Sequence, residues 1–220
     1  MNKDDKSTPL RANVLNQIYE DIVASATESA LAQMQAARDH GGEPDPKDVR
    51  QTIIGQVNED LCAENFERGP KQQLPYMKEL DLSQVATILM WRYRWRRVMA
   101  TGTSEPAMDL LARYCEDGAD EGIYVSDDKA VRALAREYRA STSINDGKEL
   151  VEALRDRAPR VPRCLDRDLI PVNNGILNYK TKELQPCDPE LVFLSKSGTD
   201  WDPDAENPVI TMPDGQEWDV

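Results

Sequence analysis

The densest group of chemically capable side chains is Trp91-Arg92-Tyr93-Arg94-Trp95-Arg96-Arg97, with four arginines and three aromatics in seven residues. A guanidinium pairs with phosphate oxygens as a planar fork, and aromatic rings stack on unpaired bases, so this composition suits single-stranded nucleic acid. A second basic stretch carries Arg155, Arg157, Arg160, Arg163 and Arg167 against Asp156, Asp166 and Asp168. Both have plainer readings. If a helix runs through the first stretch, Trp91, Trp95 and Met99 align and pack into a core, while Arg92 and Arg96 share a neighbouring stripe and pair with nearby carboxylates. In the second, arginines of a proline-broken loop serve equally as a solvated connection or a subunit contact. The candidate DNA contacts are therefore Arg92, Arg94, Arg96, Arg97 and Trp95, with Arg155, Arg157, Arg160 and Arg163.

Other chemistries find little support. His40 is the single histidine and sits in the turn-forming run His40-Gly41-Gly42, which reads as an exposed loop. That leaves no imidazole for a Ser-His-Asp or Cys-His mechanism and too few for a histidine metal site. Cys62, Cys115, Cys164 and Cys187 lie 53, 49 and 23 residues apart, unlike the CxxC spacing of zinc ribbons and redox motifs. Cys62 and Cys115 read as buried small hydrophobes. Gly147-Lys148-Glu149 is the nearest approach to a phosphate loop, but Glu replaces the required hydroxyl residue and the upstream glycine is missing. The acid-rich run Asp202–Pro208 lacks the Asp-Gly spacing of a calcium loop. The chain is read as no enzyme by itself, with no cofactor or metal of its own.

These residues must be positioned by a chain of 220 residues whose 40 acids and 27 basic residues give a net charge of −13. Its hydrophobic share of 40% suffices for a core, and the length allows one large domain or two small ones. The longest apolar run, Val85 to Trp91, is far below the roughly 18–20 residues that span a bilayer. Asp4 and Asp5 stand where a signal peptide needs apolar residues. The expected location is cytoplasmic, with no membrane partner.

Helical spacing runs from Leu15 through Ile18, Ile22, Ala26, Ala30 and Met34, predicting a long helix over 10–39. Asp45 as N-cap, Pro46 at the first helical position and the series Val49, Ile53, Val57, Leu61 predict a second over 46–66. A third is expected from Asp81 or Ser83 through Trp95 and Met99 to Gly102, and a shorter one from Pro106 to Cys115. Gly122–Val125 reads as a strand. Ser126-Asp127-Asp128 caps a helix through Tyr138, and another runs from about Asp146 to the stop at Pro159. Beyond it, Asn178–Leu184 fits two strands joined at Lys180–Lys182, and Leu191–Ser195 a further strand. Residues 199–220 hold seven acids, three prolines and no Lys or Arg, and read as an extended connector. The expected class is α+β: a helical region over 1–102, a helix-helix-hairpin region over 103–198, and an acidic linker over 199–220. Two helices followed by a hairpin also match the order of a winged-helix module.

The stretch GIYVSDDKAVRALAREY from Gly122, then ELVEALRDRAP, then the hairpin region from Leu169 to Pro189 and the proline-containing segment after Ser195-Lys196, resembles the region preceding the motor domain in phage and plasmid primase-helicases of the superfamily 3 type. The resemblance covers roughly residues 105–210, and residues 1–100 resemble no family. It implies that ATPase and unwinding activity, with ATP and magnesium, belong to a C-terminal motor lying past Val220. The chain is then expected to be a fragment, truncated product or split gene, and an accessory region placing DNA or neighbouring subunits beside that motor.

Two functions compete. One is a non-catalytic DNA-replication module that binds single-stranded or duplex DNA through the arginines named above. The other is a protein-interaction or self-association module, acting through its long N-terminal helix.

Overall fold

The positions recurring every three or four residues in the sequence are the buried positions of the structure, a computed structural model describing residues 8–70, 72–100, 105–205, 209–211 and 217–219. Helix α1 spans Thr8–Asp39 and α2 spans Pro46–Phe66. The Asp45 side chain accepts the N–H of Lys47 at 2.8 Å, as its N-cap position requires. Val49, Ile53, Val57 and Leu61 are fully buried, one residue per turn on a single stripe of α2. Helices α3 (Leu82–Arg92), α4 (Asp128–Tyr138) and α5 (Ile144–Arg157) complete the helical set, with α3 and α5 opened by reciprocal capping boxes at Asp81/Gln84 and Ser143/Asp146.

The contacts divide the chain into two units. The first, residues up to Trp95 with Asp127–Pro159, contains the five α-helices of the described residues. Its core joins Val23, Ala30, Ile53, Leu61, Ile88, Leu89, Val131, Tyr138, Leu150 and Leu154. Two asparagines seven residues apart on α2 fasten the following loop: Asn65 exchanges two hydrogen bonds with the backbone of Leu74 (2.9 and 2.6 Å), and Asn58 two with that of Met77 (3.0 and 2.8 Å).

The second unit, Arg96–Ser126 with Arg160–Val220, is built of strands. Strands β1 (Trp95–Val98), β2 (Leu110–Tyr114), β3 (Tyr124–Val125) and β4 (Arg160–Val161) form a sheet of order β3-β2-β1-β4. In it β1 and β4 are parallel, whereas β2 and β3 are antiparallel. Val98, Ala112, Tyr114, Tyr124 and Val192 make its core. A second sheet is the antiparallel meander β5 (Leu169–Val172), β6 (Gly175–Asn178) and β7 (Glu183–Gln185). Gly175 opens β6 at φ +150°, where a Cβ would run into the Gln185 carbonyl and the Leu184 side chain. Ile176 packs with Ile123 and Phe193 beneath this meander.

The α+β class and the helices at 46–66, 128–138 and 144–157 follow the sequence reading, and four expectations need correction. The third helix stops at Arg92, and Trp95–Val98 is a strand. The C-terminal carbonyls of α3 find a distant partner, because Arg38 donates to Trp91 O (3.1 Å) and Arg92 O (3.3 Å), and Tyr93 then turns to extended backbone. The Pro106–Cys115 segment is one turn of 3₁₀ helix, Pro106–Met108, followed by β2, since pairing with β3 buries Leu111, Ala112 and Tyr114. Leu191–Ser195 forms no strand, although Phe193 O accepts from Tyr124 N and Val192 O from Cys164 N, both at 2.8 Å. Cys62 is exposed on the outer side of α2, while Cys115 is buried.

The acidic segment carries structure of its own. Asn174 holds the backbone of Trp201 by two hydrogen bonds (2.8 and 2.9 Å). Strand β8 (Val209–Thr211) pairs antiparallel with β9 (Glu217–Asp219), short runs that the surrounding acids and prolines hide in the composition. The helices and hairpin read as a winged-helix order fall in different units.

Candidate nucleic-acid interface

Most of the arginines singled out by composition are engaged within the fold. Arg92, half-buried, pairs with Glu43 at 3.0 Å and donates to Pro44 O at 2.7 Å. Burial works against its charge, but the neighbouring Tyr138 hydroxyl and Glu43 carboxylate more than offset this, and its pKa is raised. Burial likewise pushes the Tyr138 hydroxyl well above its ordinary value. Trp95 is buried and donates its indole N–H to Leu89 O at 3.0 Å. Arg94 is exposed between α3 and β1, and Arg96 faces Glu190 at 3.4 Å. Arg97 and Arg160 meet at one carboxylate: Asp109 accepts from Arg160 at 2.7 and 3.2 Å and lies 3.4 Å from Arg97 Nε. Hydrogen bonding to Arg160 holds the Asp109 carboxyl below the usual range, although its burial acts the other way. Arg157 donates to Thr87 Oγ1 (2.9 Å) and Ser83 Oγ (3.1 Å) on α3. Arg163 is half-buried in the loop after β4.

Arg155 is different. It lines a cleft of about 580 Å³ between α4 and α5, together with Lys129 and Arg132 of α4 and Lys148 of α5. Lys129 and Arg132 stand three residues apart and the exposed Arg136 continues their stripe, while Lys148 and Arg155 are two turns apart on α5. Two carboxylates share the lining, Asp128 and Glu152. Asp128 lies in the first turn of α4, where the helix dipole favours an acid. Glu152 reaches Arg155 Nη1 at 3.2 Å. Four cations thus outnumber two acids in a chain of net charge −13. The Arg155 Nε–H is buried without a hydrogen-bond partner, as are those of Arg97 and Arg139.

The helices approach closely here because residue 147 is glycine. A Cβ at Gly147 would stand 3.1–3.3 Å from the aliphatic stem of Arg132, which lies directly across it. Ile144 and Val151 supply apolar surface to the same cleft. Of the nine residues read from the sequence as DNA contacts, only Arg155 belongs to this group. Lys129, Arg132 and Lys148 were missed, since isolated cations on two helices make no dense local run. Their signal was the three- and four-residue basic spacing on α4.

Among the described residues, no cluster of three or more His, Cys, Asp or Glu side chains is placed to hold a metal, and no helix is long and apolar enough to cross a membrane.

A family model described as "D5 N terminal like" matches residues 81–219, more than half of the chain and all of α3, α4, α5 and the meander. The chain belongs to this D5 N-terminal-like family, a domain found in phage and plasmid primase-helicase proteins. No curated protein matches it.

Proposed function

We propose that this chain is an accessory, non-catalytic region of a phage or mobile-element DNA primase-helicase, holding DNA beside an ATP-driven motor of the superfamily 3 type. Family membership supports the replication setting. The observation that carries the DNA contact is the α4–α5 cleft, lined by four cations against two acids. Such cations meet the phosphodiester backbone of DNA, and neutralising it releases counterions. ATP and magnesium serve the motor and not this region, so the chain alone hydrolyses no nucleoside triphosphate.

Fluorescence anisotropy with labelled DNA across a salt series tests the reading. Binding should weaken steeply as salt rises, and the combined Lys129→Gln, Arg132→Gln and Lys148→Gln variant should flatten that dependence, while Arg167→Gln, in an exposed loop, should not. Absence of binding at low salt sinks the proposal.

A second reading rests on α1. It is 32 residues long against 21 for α2, so at about 1.5 Å per residue it outreaches its hairpin partner by about 16 Å. Along this part Val14 is exposed and Leu15 and Ile18 are only half-buried. This stripe suits a partner helix, including that of a second copy. Light scattering that returns a monomer at every concentration argues against self-association.

A further inference from the structure

We propose that the α4–α5 cleft takes unpaired, single-stranded DNA in preference to duplex, with Arg155 on a phosphate and Ile144 against a base. The proposal rests on the DNA reading above and sharpens it to one form of the ligand.

Three observations support it. The first is size. A volume of about 580 Å³ lies within the range of small-molecule pockets, roughly 300–1,000 Å³. It admits one backbone with a base turned inward, whereas a duplex keeps its base faces stacked inside and presents only phosphates and groove edges. The second is the Arg155 guanidinium. Glu152 engages it at Nη1 alone, and a guanidinium is a planar fork that a phosphate oxygen can complete. The third is Ile144. It is 64% exposed at the first position of α5 and lines the same cleft as the four cations. An apolar face beside phosphate-binding charge matches a strand whose base faces are uncovered, since every base has a flat apolar surface.

The roles separate in their salt dependence. Arg155 neutralises a phosphate, so its loss should flatten the plot of log affinity against log salt by about 0.7 for a single strand. Ile144 touches no charge, so its loss should lower affinity without changing that slope.

The test is anisotropy with a labelled single strand and the duplex of the same sequence and length, using the full chain. The single strand is expected to bind about tenfold or more tightly at equal salt. Ile144→Ser should weaken single-strand binding about three- to tenfold at unchanged slope, while Arg155→Gln and, as a second charge variant, Lys148→Gln should weaken binding and flatten the slope. Circular dichroism melts confirm that each variant is folded. Equal affinity for both forms, tighter duplex binding or an indifferent Ile144→Ser overturns the proposal while leaving the DNA reading intact. Failure of both forms to bind overturns the two together.

Discussion

Arg160, on β4, grips Asp109, just before β2, through two hydrogen bonds of 2.7 and 3.2 Å, and Arg97 of β1 approaches the same carboxylate to 3.4 Å. The Asp109 side chain has no solvent exposure, so one acid tethers the strands β1 and β4 and the start of β2. Two of the arginines that composition offers to DNA thereby help to hold a sheet together.

Asp109→Asn should lower the melting temperature by on the order of 5–10 °C, because two arginines lose their shared counter-charge. The pH dependence follows from the depressed Asp109 pKa, caused first by the Arg160 hydrogen bond. The folded state binds this proton less readily than the unfolded chain, so the stabilisation is complete above the unfolded carboxylate pKa of about 3.9 and is lost as pH falls through the lower folded value. Asp146, depressed chiefly by the Ser143 backbone N–H, contributes with the same sign. Thermal melts between pH 7 and pH 2 should show wild-type stability falling below about pH 4 and a shallower fall in Asp109→Asn.

Asn65→Ala leaves both the N–H and the carbonyl of Leu74 without their partner in a buried setting. A cost of about 2–4 kcal/mol in urea unfolding is expected. A change within about 0.5 kcal/mol shows that this pair does not hold the loop.

Arg38 closes the end of α3 in three ways: its guanidinium lies 4.8 Å from the Trp91 ring centroid, bonds the carbonyls of Trp91 and Arg92, and pairs with Glu43 at 3.4 Å. Arg38→Ala should cost about 1–3 kcal/mol and speed amide exchange in the last turn of α3. Arg38→Lys should recover less than half, since an ammonium cannot fork across two carbonyls.

At Gly147 two effects oppose one another. Alanine gains about 1 kcal/mol of helix propensity but pushes against the Arg132 stem, so Gly147→Ala should leave the melting temperature within a few degrees of wild type. Gly147→Leu must part α4 from α5, and its melt should fall well below that of the alanine variant. Equal melts for the two would mean that the close approach is not needed.

What could be read from the chain had local causes. Asp45-Pro46 and Ser126-Asp127 mark helix starts by their own hydrogen-bonding chemistry, and α2 and α4 begin where they indicate. What could not be read was decided by partners far along the chain. Trp91, Trp95 and Met99 fit a helical period, yet the period of a short apolar run also fits a strand. Its outcome here depends on Arg38 closing α3 and on β4 pairing with β1, each more than fifty residues away. The same holds for the cleft. Its four cations stand on two helices and become neighbours only when Gly147 lets those helices meet, so scanning for dense arginine runs favoured residues that the fold then paired internally.

The alternation of the chain between its units bears on its synthesis. The helical unit takes its first three helices from before Trp95 and its last two from Asp127–Pro159, while the strand unit takes Arg96–Ser126 and everything after Arg160. A ribosome delivering residues in order therefore cannot finish either unit before starting the other. The buried surfaces of α1, α2 and α3 must wait for α4 and α5, and β1 for β4. During this interval apolar stripes stand uncovered, the condition in which nascent chains aggregate. Cutting the gene at any one point between these segments would leave at least one core incomplete.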